Sequence, residues 1–166
     1  SSLLSFAQPE ALNAETVEAE EIVSGALAAA FQRTPGGRDA ADWELTTSCN
    51  AGALRGDRIK LRQALRNLVS NALDIQPEGG RVRVEVFERD DCHVFRVLDA
   101  GPGVPTELAP RLADPFFTTR AEGTGLGLSL VHTIAALHGG TFCVSTERSD
   151  LGGACFKFTI PSSQLR

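Results

Sequence analysis

The 166-residue chain contains no methionine, no tyrosine and only one tryptophan, and it has no long hydrophobic run. No stretch approaches the roughly 20 apolar residues that a membrane-spanning helix needs, and no basic segment leads into an apolar signal sequence. Positive charge is scarce too, because 16 Lys and Arg stand against 21 Asp and Glu. The net charge of −5 argues against a nucleic-acid-binding protein. We therefore expect one globular domain without direct membrane contact, and the missing initial methionine predicts that it is a piece of a longer protein.

Cysteine is sparse and widely spaced, at Cys49, Cys92, Cys143 and Cys155. No Cys-x-x-Cys pair and no nearby Cys/His pair has the spacing of a zinc site. A disulfide framework is equally unsupported, so the sequence predicts a reduced, cytoplasmic protein.

The hydrophobic pattern predicts an α+β fold. Helical periodicity covers residues 13–33, 57–73 and 126–137, and strand-like alternation covers 43–49, 81–87, 91–98, 141–146 and 154–160. Residues 99–124 are rich in glycine and proline and have neither pattern, which is typical of a functional or disordered loop. Because the strands pair as hairpins and the helices gather on one face, we predict a two-layer α/β sandwich with a mixed sheet of about five strands packed on three helices.

A narrow polar stripe lies beside the apolar face of the helix predicted at 57–73. Asn67, Asn71 and Asp74 follow one another at helical spacing there. Amides next to a core must be hydrogen-bonded, so they could simply satisfy neighbouring backbone groups. Aligned amide and carboxylate oxygens also suit a hard cation such as Mg²⁺ that is shared with substrate phosphates.

Two glycine-rich segments follow. Asp99 ends a predicted strand with its carboxylate in step with the inward face, and Gly101 and Gly103 allow a tight turn behind it. Residues 123–127 (GTGLG) open a helix, where Thr124 can cap and free backbone N–H groups form an anion site. Each segment alone could be an ordinary turn or helix start. The pairs at 139–140 and 152–153 are interpreted as plain turn glycines.

Taken in order, these motifs resemble the catalytic ATP-binding domain of sensor histidine kinases, in the GHKL superfamily with DNA gyrase B, the heat-shock chaperone ATPase and MutL. The resemblance covers about 57–161. It comprises an N box (LRQALRNLVSNALD), a G1 box (DAGPG), an F box (DPFFTTR) and a G2 box (GTGLGLSLV), followed by the endings LHGGTFCVST and GGACFKFTIP. It implies the Bergerat ATP-binding fold, with ATP held between helices and sheet.

The resemblance also implies roles for individual residues. Asn71 would bind Mg²⁺, and Asn67 would act beside it near the metal and the phosphates, so that both take part in catalysis. Asp99 would accept a hydrogen bond from the adenine amino group, and residues 105–124 would form a lid over ATP. The other nucleotide-binding residues that it implies are Asp74, Gly101, Gly103, Thr119, Arg120, Gly123, Thr124, Gly125, Leu126 and Gly127.

Two positions depart from the family pattern. Arg120 stands where lysine is usual, so phosphate contact is kept but can be re-aimed. Asp74 stands where some relatives carry a basic residue, which weakens its assignment.

The histidine that such kinases phosphorylate is missing, because none of His93, His132 and His138 lies in a matching pattern. Residues 1–9 (SSLLSFAQP) resemble the stretch after the second dimerisation helix of nitrogen-regulation-type kinases. We therefore expect a linker remnant at 1–9 and the catalytic domain at 10–166. The implied partners are the dimerisation and phosphoacceptor domain of the same kinase, a response regulator receiver domain and, in the full-length protein, a second copy of the kinase. A fragment of this kind is not expected to autophosphorylate alone.

Two alternative functions remain at this point, an anti-sigma-factor-type serine kinase and a degenerate module that binds nucleotide or a partner without chemistry. A gyrase-like or chaperone-like ATPase is disfavoured, since those proteins have a glutamate where Asn67 stands, as the base that activates water.

Overall fold

A computed structural model describes residues 12–31, 40–105, 107–108, 111–112, 126–145 and 148–163. A short 3₁₀ turn at Ala40–Asp42 precedes the second strand. The helices and strands, in chain order, are β1 (Glu15–Glu18), α1 (Ala19–Phe31), β2 (Trp43–Asn50), β3 (Ala53–Gly56), α2 (Arg58–Ile75), β4 (Gly80–Arg89), β5 (Cys92–Asp99), α3 (Leu126–Leu137), β6 (Thr141–Val144) and β7 (Cys155–Pro161).

The main sheet has five strands in the order β2-β4-β5-β7-β6. Strand β2 runs parallel to β4, and the other neighbouring pairs are antiparallel. The predicted mixed sheet of about five strands with three helices is therefore confirmed. Helix α2 packs against α1 on one side and α3 on the other, and it also contacts β4 and β5.

The core lies between α2 and one face of the sheet. Strand β4 contributes alternating valines, and β5 and β7 contribute aromatic residues, with the Phe95 and Phe158 rings stacked at 4.8 Å. The largest side chains that are almost wholly buried there include Leu61, Leu65, Leu68, Phe95, Phe156, Phe158 and Ile160. Burial of this apolar surface holds the helix layer on the sheet and so fixes where the polar stripe of α2 faces.

A small second sheet is not predicted from the sequence. Strand β1 pairs antiparallel with β3, with Glu15 opposite Gly56 and Glu18 opposite Ala53. The predicted helix at 13–33 consequently begins only at Ala19. Val17 is buried between exposed neighbours, which is the pattern of a strand.

Helix α2 begins at a capped position. The side chain of Asp57 accepts a hydrogen bond from the backbone N–H of Lys60, and the Asp57 backbone N–H donates to Nε2 of His138 at 3.0 Å. His138 Nδ1 lies 2.8 Å from the carbonyl of Ile134 at the end of α3. The neutral imidazole therefore joins the end of α3 to the start of α2, and burial lowers its pKa below the usual histidine value.

The predicted loop at 99–124 lies partly outside the described residues. Within the described parts, Asp99 is the last residue of β5. Across the described ranges, no helix combines the length and the apolar character that crossing a membrane would require.

Candidate functional site

The polar stripe of α2 lies where the sequence predicts it. Asn71 is buried, while Asn67 and Asp74 are half-buried on the same side of the helix. Among the described residues, no acceptor lies within hydrogen-bond distance of Asn71 Nδ2. A buried amide group without a partner is costly, about 1–3 kcal/mol, so this end of the stripe is suited to a polar ligand.

The carboxylate of Asp99 is completely buried at the end of β5. Its Oδ1 accepts hydrogen bonds from the backbone N–H groups of Gly101 at 2.9 Å and Ala154 at 3.1 Å. Its Oδ2 is also buried and has no donor among the described residues. Burial raises the pKa of this carboxyl above its ordinary value, and the two backbone hydrogen bonds oppose that shift. The site therefore holds an acceptor that a bound N–H donor would satisfy.

Two glycines make room for this carboxylate. A Cβ on Gly153 would lie 2.2 Å from Asp99 Oδ1 and 2.6 Å from the backbone nitrogen of Gly101. Gly153 also donates its own N–H to the Asp99 carbonyl at 3.0 Å, and Ser149 Oγ donates to the same oxygen at 3.2 Å. The interpretation of Gly153 as a plain turn glycine is therefore wrong, because a side chain there would displace the predicted ligand-binding group.

The turn after Asp99 lies against the end of α2. A Cβ on Gly101 would meet Ile75 Cγ2 at 2.5 Å and Asp99 Oδ1 at 3.2 Å. Gly103, two residues on, has a φ of 82°, which glycine adopts without strain. The structure thus brings the Asp99 turn to the end of the helix that carries Asn71.

The junction between α2 and β4 is held by Gln76. Its Oε1 accepts from the Arg81 backbone N–H at 3.1 Å, and its Nε2 donates to the carbonyls of Ala72 and Arg81. The indole of Trp43 donates to the Gln76 carbonyl at 3.0 Å. Sequence analysis missed this residue, whose partners are recognisable only once the end of the helix and the start of the strand are placed together.

Arg66 was missed as well. Arg66 is half-buried on the outer side of α2, and its Nη2 donates to Asn67 Oδ1 at 2.8 Å. Because adjacent residues point about 100° apart on a helix, periodicity alone gave no signal for this contact.

Several predicted site residues lie outside the described residues, namely Thr119, Arg120, Gly123, Thr124 and Gly125. Leu126 and Gly127 form the first turn of α3, in agreement with the predicted start of that helix. Their roles, like those of the five others, stay predictions.

The described residues fit a nucleotide better than a metal alone. Within those ranges, no group of three or more His, Cys, Asp or Glu side chains is placed to hold a metal ion. Asn71 offers an amide, and Asp99 offers a buried acceptor with no donor in the described parts of the chain. A cation here would therefore need further oxygens from water and from a phosphate ligand, as Mg²⁺ commonly uses.

Comparison with known proteins points to one family. Residues 56–164 match the family model described as histidine kinase-, DNA gyrase B-, and HSP90-like ATPase. The sensor histidine kinase ZraS of Klebsiella oxytoca is 32% identical over 166 residues, which cover 97% of this chain and 34% of that protein. The chain spans about a third or less of the length of the curated relatives that it matches.

Solved structures agree in fold. A mycobacterial sensor histidine kinase, MprB, superposes with a TM-score of 0.77 at 26% identity, covering 91% of this chain and 99% of that one. Full-length ShkA in complex with AMPPNP also gives 0.77, at 27% identity, covering 96% of this chain and 34% of that one.

Proposed function

The chain belongs to the histidine kinase-, DNA gyrase B- and HSP90-like ATPase family, which implies ATP binding, and from this premise we propose that it is the catalytic domain of a two-component sensor histidine kinase. In this role it transfers the γ-phosphoryl group of ATP to a histidine on a separate dimerisation domain. The matched relatives are named sensor histidine kinases and sporulation kinases, which favours this function over an anti-sigma-factor-type serine kinase.

One observation carries the nucleotide assignment. Asp99 Oδ2 is buried and lacks a donor among the described residues, while Oδ1 is held by Gly101 and Ala154. An adenine amino group would supply the missing N–H donor. Gly101 and Gly103 would line the adenine pocket, and at Gly101 the backbone passes without a Cβ between the carboxylate and Ile75 of α2.

The stripe of α2 would hold the phosphate end. Asn71 would bind Mg²⁺ through its amide oxygen, with Asn67 beside it and Asp74 in a weaker role. Mg²⁺, when bound, neutralises phosphate charge and orients the leaving oxygen. The phosphate and lid contacts that we propose in addition are backbone N–H groups and side chains of Thr119, Arg120, Gly123, Thr124, Gly125, Leu126 and Gly127.

The chemistry of Asn67 favours transfer to a protein over hydrolysis. A neutral amide does not take a proton from water, whereas a carboxylate at this place could act as a general base. Asn67 and Asn71 would therefore position the triphosphate and leave the proton of the attacking nucleophile to the acceptor domain. Positioning and charge neutralisation are the main sources of catalysis in phosphoryl transfer.

We assign residues 1–9 to the linker after the dimerisation helices and 10–166 to the catalytic domain. The partners that we propose are the phosphoacceptor domain of the same kinase, a response regulator receiver domain and a second kinase copy, all in the cytoplasm. The nitrogen-regulation-type parent that we propose rests on the resemblance of residues 1–9.

Nucleotide binding is tested by titration calorimetry with ADP and inosine diphosphate. The inosine base replaces the amino group with a carbonyl oxygen, which would face the Asp99 carboxylate. We expect binding at least about tenfold weaker for inosine diphosphate, because two acceptors then oppose each other. Equal affinities would contradict the assignment of Asp99 to the adenine.

The metal assignment is tested with Asn71→Ala, and Asn50→Ala, at the exposed last residue of β2, serves as the matched control. In Mg²⁺, Asn71→Ala should bind a non-hydrolysable ATP analogue more weakly than the parent does. In EDTA, the two proteins should bind it with equal affinity. A loss of equal size in both conditions would speak against a metal ligand.

Phosphoryl transfer needs the acceptor. With the dimerisation region of the parent kinase restored, labelled ATP should give acid-labile, base-stable protein phosphate. If nucleotide binds but no label appears, a degenerate binding module becomes the better assignment.

A further inference from the structure

Arg66 fixes the orientation of the Asn67 side-chain amide. The guanidinium donates from Nη2 at 2.8 Å, and arginine has only donors. The atom that faces it must therefore be the carbonyl oxygen, so the NH₂ group of Asn67 points away from Arg66. The orientation of an amide is often ambiguous, but here the chemistry of its neighbour decides it.

The same contact separates the two asparagines chemically. A carbonyl oxygen that already accepts from a guanidinium is a poor ligand for Mg²⁺, because the two cations repel at that distance. Asn71 stands one turn further along the stripe, and its buried Nδ2 has no acceptor among the described residues. Because the Asn67 carbonyl oxygen is already occupied by Arg66, Asn71 is the better placed of the two to present an oxygen to a metal.

Arg66 differs from the arginines that the structure shows in ion pairs with carboxylates. Arg58 lies near Glu15 and Glu21, and Arg96 pairs with Glu85. In the described part of the chain, no carboxylate lies within ion-pair distance of Arg66. Its positive charge is consequently not neutralised there by an acidic neighbour, and it lies beside the stripe proposed to hold the phosphates.

We propose that Arg66 is a positioning residue of this site, holding Asn67 so that its NH₂ group faces the triphosphate and the metal is left to Asn71. This inference rests on the proposed function, since it assigns phosphate contact to Asn67 and metal binding to Asn71 within the same nucleotide site. It concerns the γ-phosphate end and leaves adenine recognition at Asp99 unchanged.

The test compares Arg66→Gln, Arg66→Lys, Asn67→Ala and the double variant Arg66→Gln/Asn67→Ala. Arg55→Gln, at an exposed residue of β3, removes the same charge away from the stripe and serves as the control. ADP and a non-hydrolysable ATP analogue are titrated calorimetrically, each with Mg²⁺ and with EDTA. Thermal unfolding of every variant confirms that it is folded.

We expect Arg66→Gln to weaken binding of the ATP analogue about tenfold, the size of one charge-assisted hydrogen bond, while ADP affinity changes by less than about twofold. Arg66→Lys should recover only part of the loss, because a single ammonium keeps the charge but lacks the planar fork. In the Asn67→Ala background, Arg66→Gln should have little further effect, because the two residues act as one unit.

Three outcomes would overturn the inference: an unchanged preference for the ATP analogue over ADP in Arg66→Gln, full additivity in the double variant, or the same loss in Arg55→Gln. Failure of the proposed function has a different result, since the parent domain would then bind neither nucleotide. Retention of ADP binding in every Arg66 variant keeps the two failures apart.

Discussion

Replacing Asp99 with asparagine should separate nucleotide binding from folding. The asparagine keeps one side-chain oxygen that can accept from the Gly101 and Ala154 backbone N–H groups, so the turn should persist. The second oxygen, buried and without a donor in the described parts, becomes an NH₂ group. That group would face the adenine amino group, so a donor would meet a donor where an acceptor stood before.

The size of the binding defect follows from the hydrogen bonds that change. A hydrogen bond to the carboxylate is worth about 1.5–3 kcal/mol, and an adenine amino group left unpaired costs about 1–3 kcal/mol more. Because the two bonds at Oδ1 are retained, only these terms enter the difference. Their sum corresponds to a Kd for ADP raised by at least about 50-fold.

At neutral pH, Asp99→Asn should weaken nucleotide binding without lowering the free energy of unfolding. Burial raises the pKa of the Asp99 carboxyl, so folding shifts this group toward its protonated form relative to the unfolded chain. Its stabilising contribution is greatest in acid, below the pKa of the unfolded chain, and is lost as pH rises through the higher folded pKa. Asp99→Asn should therefore be at least as stable as the parent at about pH 7.5, with an advantage that shrinks toward about pH 4.

Calorimetry with ADP and urea unfolding at the two pH values measure the two effects on the same samples. Asp150→Asn, an exposed position in the turn before β7 that lies 3.9 Å from Arg83, controls for the loss of one charge. Unchanged ADP affinity in Asp99→Asn would refute the adenine assignment. A variant that is much less stable than the parent at neutral pH would refute the view that the buried charge costs free energy.

Three further substitutions, the first with a matched control, test the surroundings of the site. Gly153→Ala should abolish ADP binding, because its Cβ would lie 2.2 Å from Asp99 Oδ1, whereas Gly152→Ala has open space and should cost only about 1 kcal/mol for its φ of 97°. His138→Gln should be less stable than the parent at about pH 8 but should lose less stability on acidification, since the contribution of a histidine with a lowered pKa is lost as pH falls through that pKa. Trp43→Phe removes the indole donor to Gln76 and should lower the free energy of unfolding by about 1 kcal/mol in urea titrations. Retained ADP binding in Gly153→Ala, or an unchanged pH profile in His138→Gln, would contradict these expectations.

Local periodicity predicted most of the elements. The helix expected at 126–137 has those bounds, and α2 differs from its prediction by only one or two residues at each end. Both are amphipathic helices whose apolar face is visible in a short window. The pairing of β1 with β3 was not predicted, because four-residue strands carry little periodicity and the two strands lie far apart along the chain.

The site was predictable where its residues form a local motif and not where they meet through the fold. Asn67, Asn71 and Asp99 lie in recognisable segments, and the structure places their two elements in contact through Ile75 and Gly101. The need for a glycine at 153 depends on a neighbour more than 50 residues away, as the separation of 55 residues between Asp99 and Ala154 shows. A Gly-Gly pair before a strand looks like any other turn until that contact is known.

The arrangement around Asp99 indicates where binding specificity originates. Its side chain is held from one side by the turn at Gly101 and from the other by Ala154, the residue before β7, while its carbonyl accepts from Gly153 and Ser149. The cost of desolvating the carboxylate is therefore met during folding, before any ligand arrives. A ligand that brings an N–H donor gains the interaction without ordering the site, whereas one that brings an acceptor meets a buried charge that cannot turn away. Rigid placement of one atom, rather than a large number of contacts, is thus what should make this site select an amino-substituted base.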